Sequence, residues 1–338
     1  MRRGKQTWEF NQKPTIIATA TVVGPDEGKG PLTDCFDEIN DDPMLQQPSW
    51  EKAERLLFER ACELAISKAG KQTEDIDFMA GGDLMNQIIS SSFAARNLAI
   101  PYVGVFGACS TSMLSLAIAS QWVDAGAART ALAATSSHNS TAEKQFRYPT
   151  EYGSQKPPTA QYTVTGAGAA VVALGGSGPR ISSATIGKVV DMGIKDPFNM
   201  GAAMAPAAVD TIKMHLSDLN RTPKDYDLIV TGDLASVGKT IALELMQQQN
   251  IPIEQTVYDD CGMMIYDFAK QKDIMAGGSG CACSAVVTYG HLLTMLTTGK
   301  PKRILVVATG ALLSPLSYQQ GETIPCIAHA VCMESEGY

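Results

Sequence analysis

A segment that occurs twice constrains this chain more than any other feature. Asp75-Ile-Asp77-Phe-Met-Ala-Gly-Gly82-Asp83-Leu84 returns as Asp225-Tyr-Asp227-Leu-Ile-Val-Thr-Gly232-Asp233-Leu234. Ala108-Cys109-Ser110 then returns as Ala282-Cys283-Ser284, and the stretch from Arg129 to Thr135 returns as Arg303 to Thr309. One short match of this kind arises by chance among strand–helix units. Several in the same order indicate a duplicated half-domain. The halves run from 1 to 178 and from 179 to 338, each the size of a typical folding unit.

Within the first half the apolar pattern alternates between helix and strand. Ser49 is placed to cap a helix whose Ala53, Leu56, Leu57, Ala61, Leu64 and Ala65 share one face. Glu51 suits its positive end, and Gly70 stops it. Ile76 to Ala80 reads as a short buried strand, Ile88 to Leu98 as a helix of small residues, and Tyr102 to Phe106 as a strand. A longer helix is expected from about Ser110 to Ala125, then a strand from Thr130 to Thr135. This alternation implies parallel pairing and a layered α/β fold. A content of 45% hydrophobic and 18% charged residues supplies its core.

The net charge of −8 leaves no basic excess to neutralise phosphates, so nucleic acid is not an expected partner. A small anion needs only a locally positive pocket and stays open. No apolar run reaches the length of a bilayer span. Met1-Arg2-Arg3-Gly4-Lys5 is basic, but no apolar segment follows it, so a secretory signal is not expected. Contact of this tip with anionic lipid stays open. The eight cysteines sit among apolar or small residues, which suits a reducing compartment rather than a disulfide framework. Cys281-x-Cys283 has no second pair at zinc-finger spacing, and neither metal nor cofactor is expected.

Val105-Phe106-Gly107-Ala108-Cys109-Ser110 resembles the nucleophile segment of the type III β-ketoacyl synthases, and Thr165 to Val172 resembles the glycine-rich segment that closes their first half. Those glycines run into an apolar strand instead of opening a helix, which weakens a nucleotide-binding reading. The resemblance implies a thiolase-like fold, two βαβαβαββ halves stacked as an α-β-α-β-α sandwich. A narrower resemblance is carried by Gln145 to Gly153, by Lys156 to Gly166 and by Asp259-Asp260-Cys261-Gly262. These stretches are similar to the stage V sporulation protein AD family of spore-forming bacteria. That resemblance implies binding of dipicolinate (a pyridine dicarboxylate), free or as its calcium chelate, on its way into the developing spore and out at germination. It implies membrane proteins of the same transport system as partners, and a peripheral place on the inner spore membrane.

Cys109 falls where a strand turns into a helix, so backbone N–H groups are expected to converge on its sulfur, lower its pKa and form an anion site. The competing reading is a small core cysteine. In the synthases the cysteine works with a histidine, an asparagine and a C-terminal glycine loop. The matching places here hold Thr231-Gly232-Asp233, Gly278-Ser279-Gly280 and Gly310-Ala311. Neither Asp233 nor Ser279 replaces the missing imidazole and amide, so condensation is not expected.

The candidate ligand-binding residues are therefore Cys109, Ser110 and Gly310 around the turn, His138 and Asn139 after the Thr130 strand, and Asp233 and Ser279 at the altered partner positions. Asn199 matches the Asn-Gly region that borders the acyl tunnel in the synthases, and Met263 offers a flat wall. For His138 and Asn139 an ordinary polar loop is the competing reading. His215 is expected to be exposed, and His291 and His329 to be structural. Besides ligand binding, two readings stay open: an acyl-transfer enzyme using Cys109, and an interaction subunit with a vestigial pocket. A symmetric homodimer is expected through Phe78 to Gly82 or Tyr102 to Phe106, because exposed strand edges are usually paired.

Overall fold

The computed structural model describes residues 1–146, 156–254 and 257–338; the motif at 147–153 lies outside the described residues. A ribbon of β1 (Arg2–Arg3) and β2 (Thr7–Glu9) precedes the first half. That half runs β3 (Thr15–Val23), β4 (Glu38–Ile39), α1 (Trp50–Lys68), β5 (Phe78–Gly82), α2 (Ile89–Leu98), β6 (Tyr102–Gly104) and α3 (Thr111–Asp124). It closes with β7 (Thr130–Ser137), α4 (Asn139–Phe146), β8 (Tyr162–Thr163) and β9 (Gly166–Ala173). The second half runs β10 (Arg180–Ile186), α5 (Met200–Leu219), β11 (Leu228–Thr231), α6 (Ala235–Gln248), β12 (Tyr258–Asp260), α7 (Cys261–Met264) and β13 (Gly278–Ser279). Then α8 (Cys281–Val286) continues through a π-helical turn, Val287–Leu292, into α9 (Leu293–Thr297). It ends with β14 (Arg303–Ala311), α10 (Pro315–Gln319) and β15 (Cys326–Glu334).

The two halves lay out their main strands in one order. The first reads β6-β5-β7-β9-β3 and the second β12-β11-β14-β15-β10. In each, the first three strands are parallel and the fourth runs antiparallel to its neighbours. The sheets touch edge to edge only where Thr15 meets Arg180, so they are two stacked sheets joined at a corner. Helix α3 packs against β5 and β7 on one side and β14 and β15 on the other. Helices α1 and α2 cover the outer face of the first sheet, and α5, with α6 beside it, covers the second. The result is the α-β-α-β-α sandwich. With both faces of each sheet covered, β7 and β9 are buried at every residue, which is why they read as unbroken apolar and small runs.

The repeated acids explain themselves in pairs. Asp77 accepts the N–H groups of Arg129 and Thr130 at 2.7 and 3.1 Å, and Asp227 accepts those of Lys302 and Arg303 at 2.9 Å each. Each carboxylate thus pins the start of the strand beside its own. Asp75 and Asp225 accept the N–H groups of Gln72 and Thr222, closing matching turns. Ser49 caps α1 by accepting from the Lys52 N–H. Because Asp77 is engaged at the strand entry, β5 begins at Phe78 and absorbs both glycines, two residues later than the apolar run suggests.

Two expectations are corrected. His215 is fully buried, not exposed: Nδ1 pairs with Thr185 Oγ1 at 2.7 Å and Nε2 with the Tyr226 hydroxyl at 2.8 Å. The N-terminal ribbon covers this end of α5, where Thr7 bonds to both Thr185 and Asp218. Burial drives the His215 pKa down to about 3. The Ala-Cys-Ser repeat is also out of structural register. Cys109 lies two residues before α3, whereas Cys283 lies inside α8, and the residue two before α8 is Ser279. Ser279, not Cys283, lines a cavity with Cys109.

Candidate functional site

The turn that carries Cys109 is tied to itself. Ala108 adopts a left-handed conformation with φ 49°, which swings Cys109 away from the preceding strand at some steric cost. Ser110 Oγ donates to Gly107 O at 2.6 Å, Thr111 Oγ1 donates to Ala108 O at 2.7 Å, and the Gly107 N–H donates to Thr111 Oγ1 at 3.0 Å. Strand β14 closes over it: a Cβ on Gly310 would sit 2.1 Å from Gly107 O and 3.1 Å from Ser110 N. Only glycine permits that approach. Gly310 therefore does meet the turn, and the Ser110 hydroxyl is spent inside it.

Asp233 faces the sulfur. Its charge acts on the Cys109 thiol, and its carboxyl group accepts from Thr309 Oγ1 at 2.5 Å, Ser279 Oγ at 3.1 Å and the Gly280 N–H at 3.0 Å. Burial raises the Asp233 pKa. The Cys109 thiol is pushed well above its ordinary value by burial first and the Asp233 charge next. This reverses the expected lowering. The Ser110 and Thr111 N–H groups that were to stabilise a thiolate bond instead to Gly107 O and Ala108 O, each at 3.1 Å. Behind Asp233 lies Asp260, raised by burial to about 7, and beside the turn Cys281 hydrogen-bonds to Ala108 O at 3.2 Å.

Cys109 and Ser279 line an inner cavity of about 30 Å³, walled by Leu84, Phe146, Met200 and Leu313 among others. Leu84, Phe146 and Leu313 also line an outer chamber of about 270 Å³ that includes Met85, Ile88, Phe106, Gln145 and Ser314. The two form a funnel. No Lys, Arg or His lines either part among the described residues. Asn199 directly precedes Met200, and Asn139 stands one helical turn before Ala142, another wall residue. The buried Asn199 Oδ1 and Asn139 Nδ2 have no hydrogen-bond partner among the described residues.

Sequence reasoning missed Gln161. Its Nε2 donates to the Asp233 backbone oxygen at 2.5 Å while Oε1 is buried and unpartnered. Strand alternation puts it on the same side as Thr163, which lines the cavity, and that spacing could have found it. His138 does not reach the cavity: Nε2 pairs with Pro43 O at 2.9 Å, Nδ1 accepts the Ser140 N–H at 3.1 Å, and the ring lies against Trp50. Its strand exit points it toward α1 instead. Met263 is half-buried in α7 and is not among the wall residues, because Asp260 caps that short helix on the far side of Asp233.

The profile of stage V sporulation protein AD matches residues 4–334. The chain belongs to that family. Stage V sporulation protein AD of Bacillus subtilis (strain 168) is 54% identical over 334 residues, 99% of this chain and 98% of the relative. Membership gives the chain a role in sporulation. Solved structures share the fold at low identity. The 3-oxoacyl-[acyl-carrier-protein] synthase III of Aquifex aeolicus VF5 aligns with TM-score 0.59 and 15% identity, covering 95% of this chain and 99% of its own. Cerulenin-bound OleA of Xanthomonas campestris aligns with TM-score 0.62 and 14% identity, covering 96% and 99%. These neighbours are thiolase-fold condensing enzymes, whereas the family itself is named for sporulation and not for a reaction.

Proposed function

We propose that this sporulation protein uses the Cys109 funnel to bind dipicolinate rather than to condense acyl groups. The pairing of Cys109 with Asp233 carries the reading. A condensing cysteine acts as a thiolate and needs a base that makes and orients it. Here the neighbour is a buried carboxyl group, which penalises the thiolate. The unpartnered amide atoms of Asn139, Gln161 and Asn199 lie next to wall residues; a carboxylic acid could use the Asn139 donor for an oxygen and one of the two acceptors for its proton. With no Lys, Arg or His among the described wall residues, a ligand whose charge is already compensated, by a proton or by calcium, fits these walls better than a bare dianion. The inner cavity holds about one water molecule, so the ring would occupy the outer chamber and direct one carboxyl group inward.

Acyl transfer at Cys109 is the second reading, favoured by a turn that still presents the cysteine at the strand-to-helix junction. On either reading the protein works beside membrane partners at the inner spore membrane, as a homodimer; no helix among the described residues is long and apolar enough to cross a membrane. The test is calorimetric titration with dipicolinate, with and without calcium, on protein whose fold is checked by thermal melting. Cys109→Asp puts a second buried acid against Asp233 and is expected to weaken binding about a hundredfold or more. Cys109→Ala keeps the backbone and should stay within about threefold, roughly the loss of one weak contact. No binding by the unaltered protein, or thioester turnover that disappears in Cys109→Ala, would sink the proposal.

A further inference from the structure

We infer that Cys35, not Cys109, is the reactive thiol of this chain, that His291 is the base that takes its proton, and that the pair exchanges with small disulfides. Of eight free cysteines, seven are buried and Cys35 alone is partly open to solvent. Its sulfur lies 3.7 Å from His291 Nδ1, within hydrogen-bonding reach for a thiol. Two features of the fold hold this pair together. Cys35 ends the 3₁₀ turn Thr33–Cys35, fixed by its N–H bond to Leu32 O at 2.8 Å. His291 stands on the π-helical turn Val287–Leu292, an irregularity that recurs at functional positions. The helix reaches Cys35 through Gly290, where a Cβ would sit 2.6 Å from Cys35 O. A side chain there would push the imidazole off the thiol.

The groups facing the sulfur are His291 and the adjacent Asp34. Burial and the Asp34 charge raise the thiol pKa, and burial lowers that of His291. The resting pair is thus a neutral thiol donating to a neutral imidazole, with the Nε2–H tautomer leaving Nδ1 free to accept. On attack, the Cys35 sulfur bonds to one sulfur of the disulfide as its proton passes to Nδ1. The disulfide's S–S bond breaks, and the departing thiolate takes the proton from the imidazolium. One thiol and one disulfide become a mixed disulfide and a free thiol, with the small disulfide as the oxidant. Cys109 has no such route, because it lies in a cavity of about 30 Å³ that is too small to admit a disulfide.

The experiment is incubation of the unaltered full chain with oxidised glutathione, with adducts counted and located by mass spectrometry. A single adduct on Cys35 is expected, absent in Cys35→Ser and retained in Cys109→Ala. His291→Gln should react about tenfold or more slowly near neutral pH, and the gap should close in alkali where the thiol ionises unaided. If that variant does not fold, the unaltered protein still decides. A base-assisted pair reacts at a nearly level rate across neutral pH, whereas an unassisted thiol gains about tenfold per pH unit. Labelling at Cys109, no labelling at all, or the unassisted pH slope overturns the inference.

Discussion

Asp83 and Asp233 occupy the same place in the duplicated segment, at the exit of β5 and of β11, and they turn opposite ways. Asp83 accepts the N–H groups of Met85 and Ser91 and the Ser91 hydroxyl, at 2.7 to 2.8 Å, and so fastens the entry to α2. Asp233 turns to Cys109, Ser279 and Thr309. Its capping duty has passed to Asp260, which accepts the N–H groups of Leu234 and Ala235 at 2.8 and 2.9 Å. By contrast Asp77 and Asp227 still do the same work. Duplication therefore preserved the acids that hold strands in register and released one acid at a strand exit. The released acid became the neighbour of the thiol.

The largest expected effect tests that division directly. Asp83→Ala leaves the buried backbone N–H groups of Met85 and Ser91 without an acceptor, while the Ser91 hydroxyl keeps Ile88 O at 3.1 Å, and should cost about 3–5 kcal/mol in urea unfolding. Asp233→Ala strands one backbone N–H, and the Ser279 and Thr309 hydroxyls lose this acceptor. With one backbone N–H stranded against two, its cost should be smaller, about 1–2 kcal/mol. Equal costs in the two variants would mean that Asp233 is as structural as Asp83.

Much of this was legible in the residues. The Asp77 and Asp227 repeat indicated a duplicated half-domain, and the resemblance of Val105 to Ser110 to the synthase segment implied the stacked sheets and the place of Gly310 beside the turn. What was not legible is direction. The same Asp appears in both repeats, and which way it turns depends on whether a distant acceptor takes over the helix cap. Asp260 is that acceptor, and nothing local to Asp233 announces it. His215 failed for a related reason: its cover comes from the other end of the chain, through Thr7 and Asp218. His138 sits at the expected strand exit, yet Pro43 and Ser140 claim both of its nitrogens.

The outer strands extend the comparison. Strands β6 and β12 end their sheets in equivalent places. At β12, Tyr258 and Asp260 are buried, and Asp259 pairs with Lys239 at 2.6 Å. At β6, Val103 is 41% exposed, and nearby Phe93 and Phe106 are 47% and 48% exposed. An open apolar edge in one half and a closed one in the other is the pattern expected if β6 pairs with a second copy of the chain. Light scattering at micromolar concentration should report a dimer. Val103→Glu with Phe106→Glu should weaken it about a hundredfold, or ~2.7 kcal/mol, while Lys239→Gln leaves the mass unchanged. A monomeric unaltered protein would break this part of the comparison.

The smallest effect concerns the outer helices. The fifth residue of α1 is Glu54 and the fifth of α5 is Met204, and both are fully buried. Glu54 accepts from Thr141 Oγ1 at 2.5 Å and Ser136 Oγ at 3.3 Å, and burial, then the Asp83 charge, pushes its pKa up to about 8. A carboxyl group whose pKa rises on folding takes up a proton as the chain folds. Its contribution is full below the unfolded value of 4.5 and is lost as pH rises toward about 8, above which both states are ionised. Met204 adds no slope at the matching place; in the second half the raised acids are Asp233 and Asp260, which lie elsewhere. Glu54→Gln keeps an acceptor for Thr141, supplies an N–H to Ser136 and cannot ionise. It should match the unaltered protein near pH 5 and exceed it at pH 8 by about 3–4 kcal/mol, with Asp83 ionising more readily as well. Melting curves across that range check the sign. A variant whose stability falls with pH as steeply as the unaltered protein's would show that Glu54 is not the group that makes the first half acid-stabilised.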